Sequence, residues 1–367
     1  MINKITAPEE KPIHPSEILS DILNARGIDK QRLKEYLQPD TEVFDKFMRG
    51  EIGLNQEIAK SLSALFNTSL DMWLGLQEDF DRLTKLYEDC FNLEVDMYDQ
   101  INYDLFYKAK AVREEENAFK RYMNLLAVFE EPSLENLMKE DLAVACKSNP
   151  NEAKNWICEN AWIKLAVYIA KSRDVKPYVR ENLESHIAEL SAMVEKNFSE
   201  CMPRIYEIFN DCGIALVFLP AHQNSKINGA VKWISNDKVM LALNDNENYT
   251  DKLWFALFHE IKHVLQEQRD DTIVQSDDYQ YTKVELEQEA DRFSREILIP
   301  NDSYERFISS TDFSEESFQN FAKEINRPVG IVIGRLQHDD YLDKHKYNHL
   351  RNKSKFVFNL DASDKIA

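Results

Sequence analysis

Glycine is scarce in this chain, with 8 residues in 367. That is roughly 2% where about 7% is usual. Turns with positive φ are filled by glycine first, so a turn-rich all-β fold is ruled out and helices are expected to dominate. The length suits two or three domains at ~100–200 residues each. A hydrophobic share of 43% and a charged share of 30% are those of a folded globular protein. Acidic residues number 65 against 45 basic ones, a net charge of −20. Such a balance opposes non-specific attraction to nucleic acid or anionic lipid and favours basic partners. No run approaches ~18 apolar residues, so no membrane association through a spanning helix is expected. The opening MINKITAPEEKPIHP lacks the apolar core of a secretory signal. Cys90, Cys146, Cys158, Cys201 and Cys212 are odd in number and form no CxxC pair. They read as reduced packing thiols, which points to the cytoplasm.

Three regions follow from the patterning. Residues 1–80 carry a run of short helices: Ile18, Leu19, Ile22 and Leu23 form a stripe after Pro15, Gln38-Pro39-Asp40 interrupts, and Asn55 caps a helix bearing Ile58, Leu62 and Leu65. Short helices joined by tight turns are the layout of a helix-turn-helix module. Its candidate recognition helix runs through Thr41–Arg49, with Thr41, Lys46 and Arg49 as candidate DNA contacts. Glu42 and Asp45 stand beside them, and residues 1–80 hold 9 Lys+Arg against 14 Asp+Glu. A phosphate backbone rewards cations, so a protein partner rivals DNA for this module. Residues 81–202 read as a helical connector or arm. Residues 203–367, with a core at 213–340, change character. GIALVFLP (213–220), GAVKWI (229–234) and KVMLALN (238–244) read as strands of a small sheet, the last two joined around Ser235-Asn236-Asp237. Helices resume at Thr250–Gln268, Val284–Ile299, Phe313–Asn326 and Val329–His338. The fold class expected is mainly α with a small α+β domain at the C-terminal end.

The chemistry concentrates at His259-Glu260-Ile261-Lys262-His263. Apolar spacing at Leu253, Ala256, Leu257, Ile261, Val264 and Leu265 frames it as a helix. Imidazoles at i and i+4 leave one helix face and can share one ion, with Glu260 beside them to act on water. Zn2+ needs a third protein ligand and keeps a fourth position open. Glu287 supplies it on the next helix, with Asp291 one turn on to take the free N–H of a ligand histidine. Glu289 is the competing third ligand; Glu287 is preferred because only it has Asp291 at i+4. Tyr279, Tyr281 and His222 are candidates for stabilising an oxyanion.

HExxH followed by ELEQEADRFSREILIP (285–300) resembles the ImmA/IrrE metallopeptidases, whose pattern runs E-x-x-A-D/N-x-F and closes on Leu/Ile-x-Pro. The strands upstream and PVGIVIGRLQHDDYL (328–342) extend that resemblance. HPSEILSDIL (14–23) through LFNTSLDMWLGLQEDFD (65–81) resembles XRE/HigA-type antitoxin helix-turn-helix domains of lambda-repressor-like fold. The first resemblance implies a gluzincin-like zinc peptidase, with His259, His263 and Glu287 as ligands and Glu260 as the catalytic base. Its substrate would be a transcriptional repressor or antitoxin-type regulator, and the N-terminal module would target DNA or a protein. A homodimer through the N-terminal half is compatible with this layout. The alternative is a DNA-binding regulator whose zinc domain binds or senses without proteolysis. One departure is Lys262, where many such helices carry glycine; it is expected to project away from the metal.

Overall fold

The computed structural model describes residues 10–30, 33–34, 41–137, 156–221, 227–244, 249–268, 277–310 and 312–353, with backbone only for Thr41, Trp156 and residues 277–283. His222, the Gln38-Pro39-Asp40 break and Cys146 lie outside the described residues, as do the side chains of Thr41, Tyr279 and Tyr281. The chain is mainly helical with one small sheet, and divides into two compact units: Met1–Tyr98 with Glu131–Leu134, and Asp99–Glu130 with Glu135–Ala367.

In the first unit, helix α1 spans Pro15–Arg26, α2 Thr41–Met48, α3 Gln56–Phe66 and α4 Leu70–Tyr98. His14 caps α1, its Nδ1 accepting from the Ser16 amide at 3.2 Å, and Pro15 fills the first helical position where no amide partner exists. Asn55 caps α3, its side-chain oxygen accepting from the Ile58 amide at 2.8 Å. Leu19, Leu23, Phe44, Phe47, Ile58, Leu62, Phe66 and Trp73 bury one shared core. The cations on α2 and just after it pair with acids at the surface: Lys46 Nζ lies 2.8 Å from Glu42, and Arg49 Nε 2.6 Å from Glu51. Lys34 likewise reaches Asp45 at 2.5 Å. Helix α4 is unbroken over its 29 residues and runs past position 80 to Tyr98.

In the second unit, α5 (Tyr103–Lys108), α6 (Ala118–Phe129), α7 (Trp156–Ser172), α8 (Arg180–Ala192) and α9 (Phe198–Asp211) precede strands β1 (Ile214–Phe218), β2 (Gly229–Ser235) and β3 (Lys238–Leu243). The strand order is β1-β3-β2. β1 pairs parallel with β3, Leu216 opposite Leu241, and β2 pairs antiparallel with β3, Val231 opposite Leu241. Every residue of β1 is buried, as its unbroken apolar run requires: helices α7 and α9 pack against it. Helix α10 (Thr250–Gln266) lies against β2 and β3, and α11 (Asp277–Leu298) packs along α10. Helices α12 (Asn301–Ser309), α13 (Glu315–Glu324) and α14 (Val329–His338) complete the unit, α14 also touching α10. Among the described residues no helix is long and apolar enough to cross a membrane. Cys90, Cys158, Cys201 and Cys212 are buried free thiols.

Candidate metal centre

Helix α10 is buried on most of its circumference: Leu253, Trp254, Leu257, Phe258, Ile261, Val264 and Leu265 fill the core of the second unit. That burial leaves its polar residues no solvent to face. His259, Glu260 and His263 are all at least 95% buried, and buried polar groups need partners. The i, i+4 spacing brings the two imidazoles edge to face, ring centroids 4.7 Å apart, with their Nε2 atoms 3.0 Å apart.

Helix α11 supplies the carboxylates. Glu287 Oε2 lies 3.2 Å from His259 Nε2, and Glu287 Oε1 3.5 Å from His263 Nε2. A tetrahedral ion with bonds of ~2.0–2.1 Å sets its ligand atoms about 3.3 Å apart. The imidazole nitrogens are 3.0 Å apart and the two Glu287 oxygens lie 3.2 and 3.5 Å from one nitrogen each, separations of that order, and one ligand atom from each residue lies within 4.8 Å of the others. The donor set, two imidazole nitrogens and a carboxylate oxygen, suits a divalent cation of intermediate softness.

The outer nitrogens are held as well. Gln266 Nε2 donates to the Leu286 carbonyl at 2.8 Å and to Glu289 Oε2 at 3.0 Å. Both partners accept, so the Gln266 amide has one orientation, and its Oε1 takes the His263 Nδ1–H at 2.7 Å. His263 Nε2 is therefore left as a lone pair facing the triangle. Asp291 Oδ1 lies 3.1 Å from His259 Nδ1, close in distance but off the N–H direction. Glu289 is engaged elsewhere, its Oε1 2.9 Å from Lys262 Nζ. Lys262 thus ties α10 to α11 one turn from the ligands. At the far end of α11, Arg327 donates to the Leu298 and Ile297 carbonyls, each at 3.0 Å, and to Ser191 Oγ at 2.7 Å. A cation on the last carbonyls complements the helix dipole and anchors this helix.

Electrostatics agree with the geometry. Burial pushes His259 down, but Asp291, Glu287 and Glu260 outweigh it and hold the ring up at about 9. Burial and the neighbouring His259 charge push His263 down to about 4. Glu287 is half-buried, which alone would raise it, yet the two imidazoles hold it below its ordinary value. The carboxylates around the two imidazoles thus favour positive charge at this centre.

Glu260 and His259 line a cavity of about 640 Å³. Gly229, the first residue of β2, comes against the Glu260 carboxylate: a Cβ there would lie 2.5 Å from Oε1 and 2.7 Å from Cγ. A side chain at this position would have to displace the Glu260 carboxylate. On the cavity wall, Arg351 grips Asp251 with Nε–Oδ1 3.2 Å and Nη2–Oδ2 2.6 Å, and Gln337 Oε1 accepts from its Nη1 at 2.8 Å. Gly334 of α14 also lies against Asp251, where a side chain would collide.

The structure thus brings His259, His263, Glu287 and Asp291 together, with Glu260 on the cavity wall beside them. Lys46 and Arg49 belong to the other unit. Gln266, Gly229, Arg327 and the Asp251–Arg351 pair went unread in the sequence. Only Gln266 left a local signal there, an amide three residues after His263.

Residues 210–336 match the family model Peptidase_M78, described as an IrrE N-terminal-like domain. The match supports a metallopeptidase-type domain in this part of the chain. No curated protein and no solved structure matches the chain.

Proposed function

We propose that the protein is a zinc-dependent regulatory endopeptidase, cleaving a transcriptional repressor or related regulatory protein in the cytoplasm. The observation that carries this reading is the convergence of two buried imidazoles and Glu287 within one ion's reach, beside a cavity that contains Glu260. His259 Nε2, His263 Nε2 and Glu287 would hold the zinc. When bound, zinc supplies Lewis acidity, acidifying water and polarising a peptide carbonyl. Glu260 accepts a water proton on its carboxylate and later delivers it to the leaving amine. Gly229 keeps β2 close enough to hold that carboxylate in place. Gln266 orients the His263 imidazole, keeping its proton on Nδ1 and its lone pair on Nε2, and the Asp291 carboxylate 3.1 Å from His259 Nδ1 favours a proton on that nitrogen. Among the described residues β2 pairs with β3 on one side only; an extended substrate segment adding to its other side would pass Gly229 and Glu260.

The N-terminal unit is proposed as an XRE-like targeting module. Because Lys46 and Arg49 are already paired with Glu42 and Glu51, the module suits a protein partner better than a phosphate backbone. The test is a partner trap. The full-length Glu260→Gln variant, loaded with zinc, is used to capture proteins, and the wild type is then incubated with each captured protein. Cleavage by wild type and none by Glu260→Gln is the expected result. Capture without cleavage would move the protein to the class of metal-binding regulators that act without proteolysis.

A further inference from the structure

We infer that His338 contacts the substrate chain in the cavity beside the metal centre, its Nε2 accepting a backbone N–H from a peptide group next to the one that is cut. The inference rests on the peptidase reading and adds a place where the substrate is gripped.

His338 ends α14 and lines the same cavity as His259 and Glu260. Its ring is fixed from two sides. Nδ1 lies 3.0 Å from Asp339 Oδ1, and the Phe255 ring stacks on it with centroids 6.4 Å apart. Asp339 is itself anchored, its Oδ2 accepting from Tyr304 Oη at 2.9 Å and from Arg335 Nε at 2.5 Å. Burial alone would raise Asp339, but Arg335, His338 and Tyr304 outweigh it and hold the carboxyl below its ordinary range. An ionised carboxylate only accepts, so the proton between the two residues sits on His338 Nδ1, and in the neutral ring Nε2 is then the acceptor. Among the described residues Nε2 makes no hydrogen bond. With Nδ1 and one ring face covered, the exposed 48% of the side chain is the other face and the Nε2 edge.

Polar neighbours on the cavity wall are committed to the fold. Arg351 is bound to Asp251 and Gln337. The Gln337 amide donates to the Lys346 carbonyl at 2.7 Å and to Asn348 Oδ1 at 3.0 Å, and the Asn244 amide to the Ile227 carbonyl at 2.6 Å. His338 instead joins a fixed orientation to an unbonded nitrogen. Phe255 sets its distance from the chemistry. Phe255 stands one turn before His259 on α10, with ring centroids 6.0 Å apart, and among the described residues His338 makes no ring contact with His259. One aromatic ring thus separates His338 from a metal ligand. A peptide whose scissile bond lies at Glu260 advances about 3.3–3.6 Å per residue, so the group opposite His338 is a neighbouring peptide unit. A hydrogen bond made there is present before and during bond cleavage alike, so it lowers KM and leaves kcat as it is.

The test uses the zinc-loaded full chain and an internally quenched peptide, taken from a mixed-sequence library because the wild type cuts it. Each backbone amide of that peptide is replaced in turn by an ester, which removes the N–H and keeps the course of the chain. The wild type is expected to lose about 3- to 10-fold in kcat/KM at one position beside the cut, the loss falling on KM, as removal of one neutral hydrogen bond does. His338→Phe keeps a ring against Phe255 and removes the acceptor. In this variant KM for the parent peptide is expected to rise by a similar factor, and the ester at that position to cost nothing further. His338→Gln, whose amide oxygen reaches towards the place of Nε2, is expected to recover part of the loss and to restore part of the ester's effect. Zinc stoichiometry and melting profile are followed in both variants, so that a change of fold is seen as such and His338→Gln then decides. An ester that still costs its full factor in His338→Phe, or a loss carried by kcat, overturns the contact and leaves the peptidase reading standing. A wild type that binds zinc and cuts no peptide of the library overturns both.

Discussion

Gln266 offers the sharpest test of how this site is built, because it never touches the ion it would serve. Its side chain makes three hydrogen bonds: to His263 Nδ1 at 2.7 Å, to the Leu286 carbonyl at 2.8 Å and to Glu289 at 3.0 Å. The first fixes the His263 tautomer; the other two hold α11, and with it Glu287, at its distance from α10. Gln266→Leu keeps the bulk and removes all three. His263 would be free to rotate or to carry its proton on Nε2, where it blocks coordination. Loss of an outer partner to a ligand histidine costs about 10- to 100-fold in metal affinity, or roughly 1.4–2.8 kcal/mol. The assay is competition for zinc against a chromogenic chelator, with circular dichroism to verify the fold. Glu289→Gln serves as the control: it weakens the Lys262 ion pair, worth about 0–1 kcal/mol, while its amide oxygen still accepts from Gln266 and the His263 bond stays intact. An affinity unchanged in Gln266→Leu, or equally reduced in Glu289→Gln, would refute the assignment of Gln266 as the orienting group.

Gly229→Ala is expected to displace the Glu260 carboxylate, since the new Cβ would stand 2.5 Å from Oε1; turnover of a captured substrate falls by about 100-fold while zinc stoichiometry stays at wild type. Wild-type turnover in this variant would contradict the placement. Metal uptake at pH 7 should release about one proton, because His259 is held at about 9 without metal and must give up its Nε2 proton to bind. Zinc affinity therefore weakens as pH falls below that value, by about 10-fold per unit while a single proton is displaced; calorimetry in two buffers of different ionisation enthalpy counts it, and no release would contradict the assignment. Arg351→Met leaves the buried Asp251 carboxyl without its cation, and is expected to cost about 3–5 kcal/mol in denaturant unfolding, much of it recovered in Asp251→Leu/Arg351→Met. A single variant as stable as wild type would rule out that pair as an anchor of α10.

The helices and strands were legible to the extent that their causes are local. The apolar run of β1, the 3.6-residue stripe of α10 and the Ser235-Asn236-Asp237 turn are each visible within a few residues. The parallel pairing of β1 with β3 is not, because it depends on which strand lies between the other two, and β1 and β3 are not neighbours in sequence. Helix α12, beginning at Asn301 directly after Pro300, was hidden by a proline that reads as a stop but here starts the next helix. In the site, the spacing of His259 with His263 and of Glu287 with Asp291 places each pair on a helix face. Which carboxylate meets the imidazoles depends on the rotation of α11, and Lys262 and Gln266 show how that rotation is held: they occupy Glu289. Gly229 was beyond reach, since nothing in GAVKWI announces that its first residue will lie against a glutamate thirty-one positions later.

The central claim is that His259, His263 and Glu287 share one zinc ion. X-ray absorption and elemental analysis on protein loaded with zinc and freed of excess metal test it directly. The account predicts one zinc per chain, a first shell of two imidazoles with oxygen and no sulfur, and loss of the metal in His259→Ala, His263→Ala and Glu287→Ala. Substoichiometric zinc, or zinc retained in full by those three variants, would contradict it.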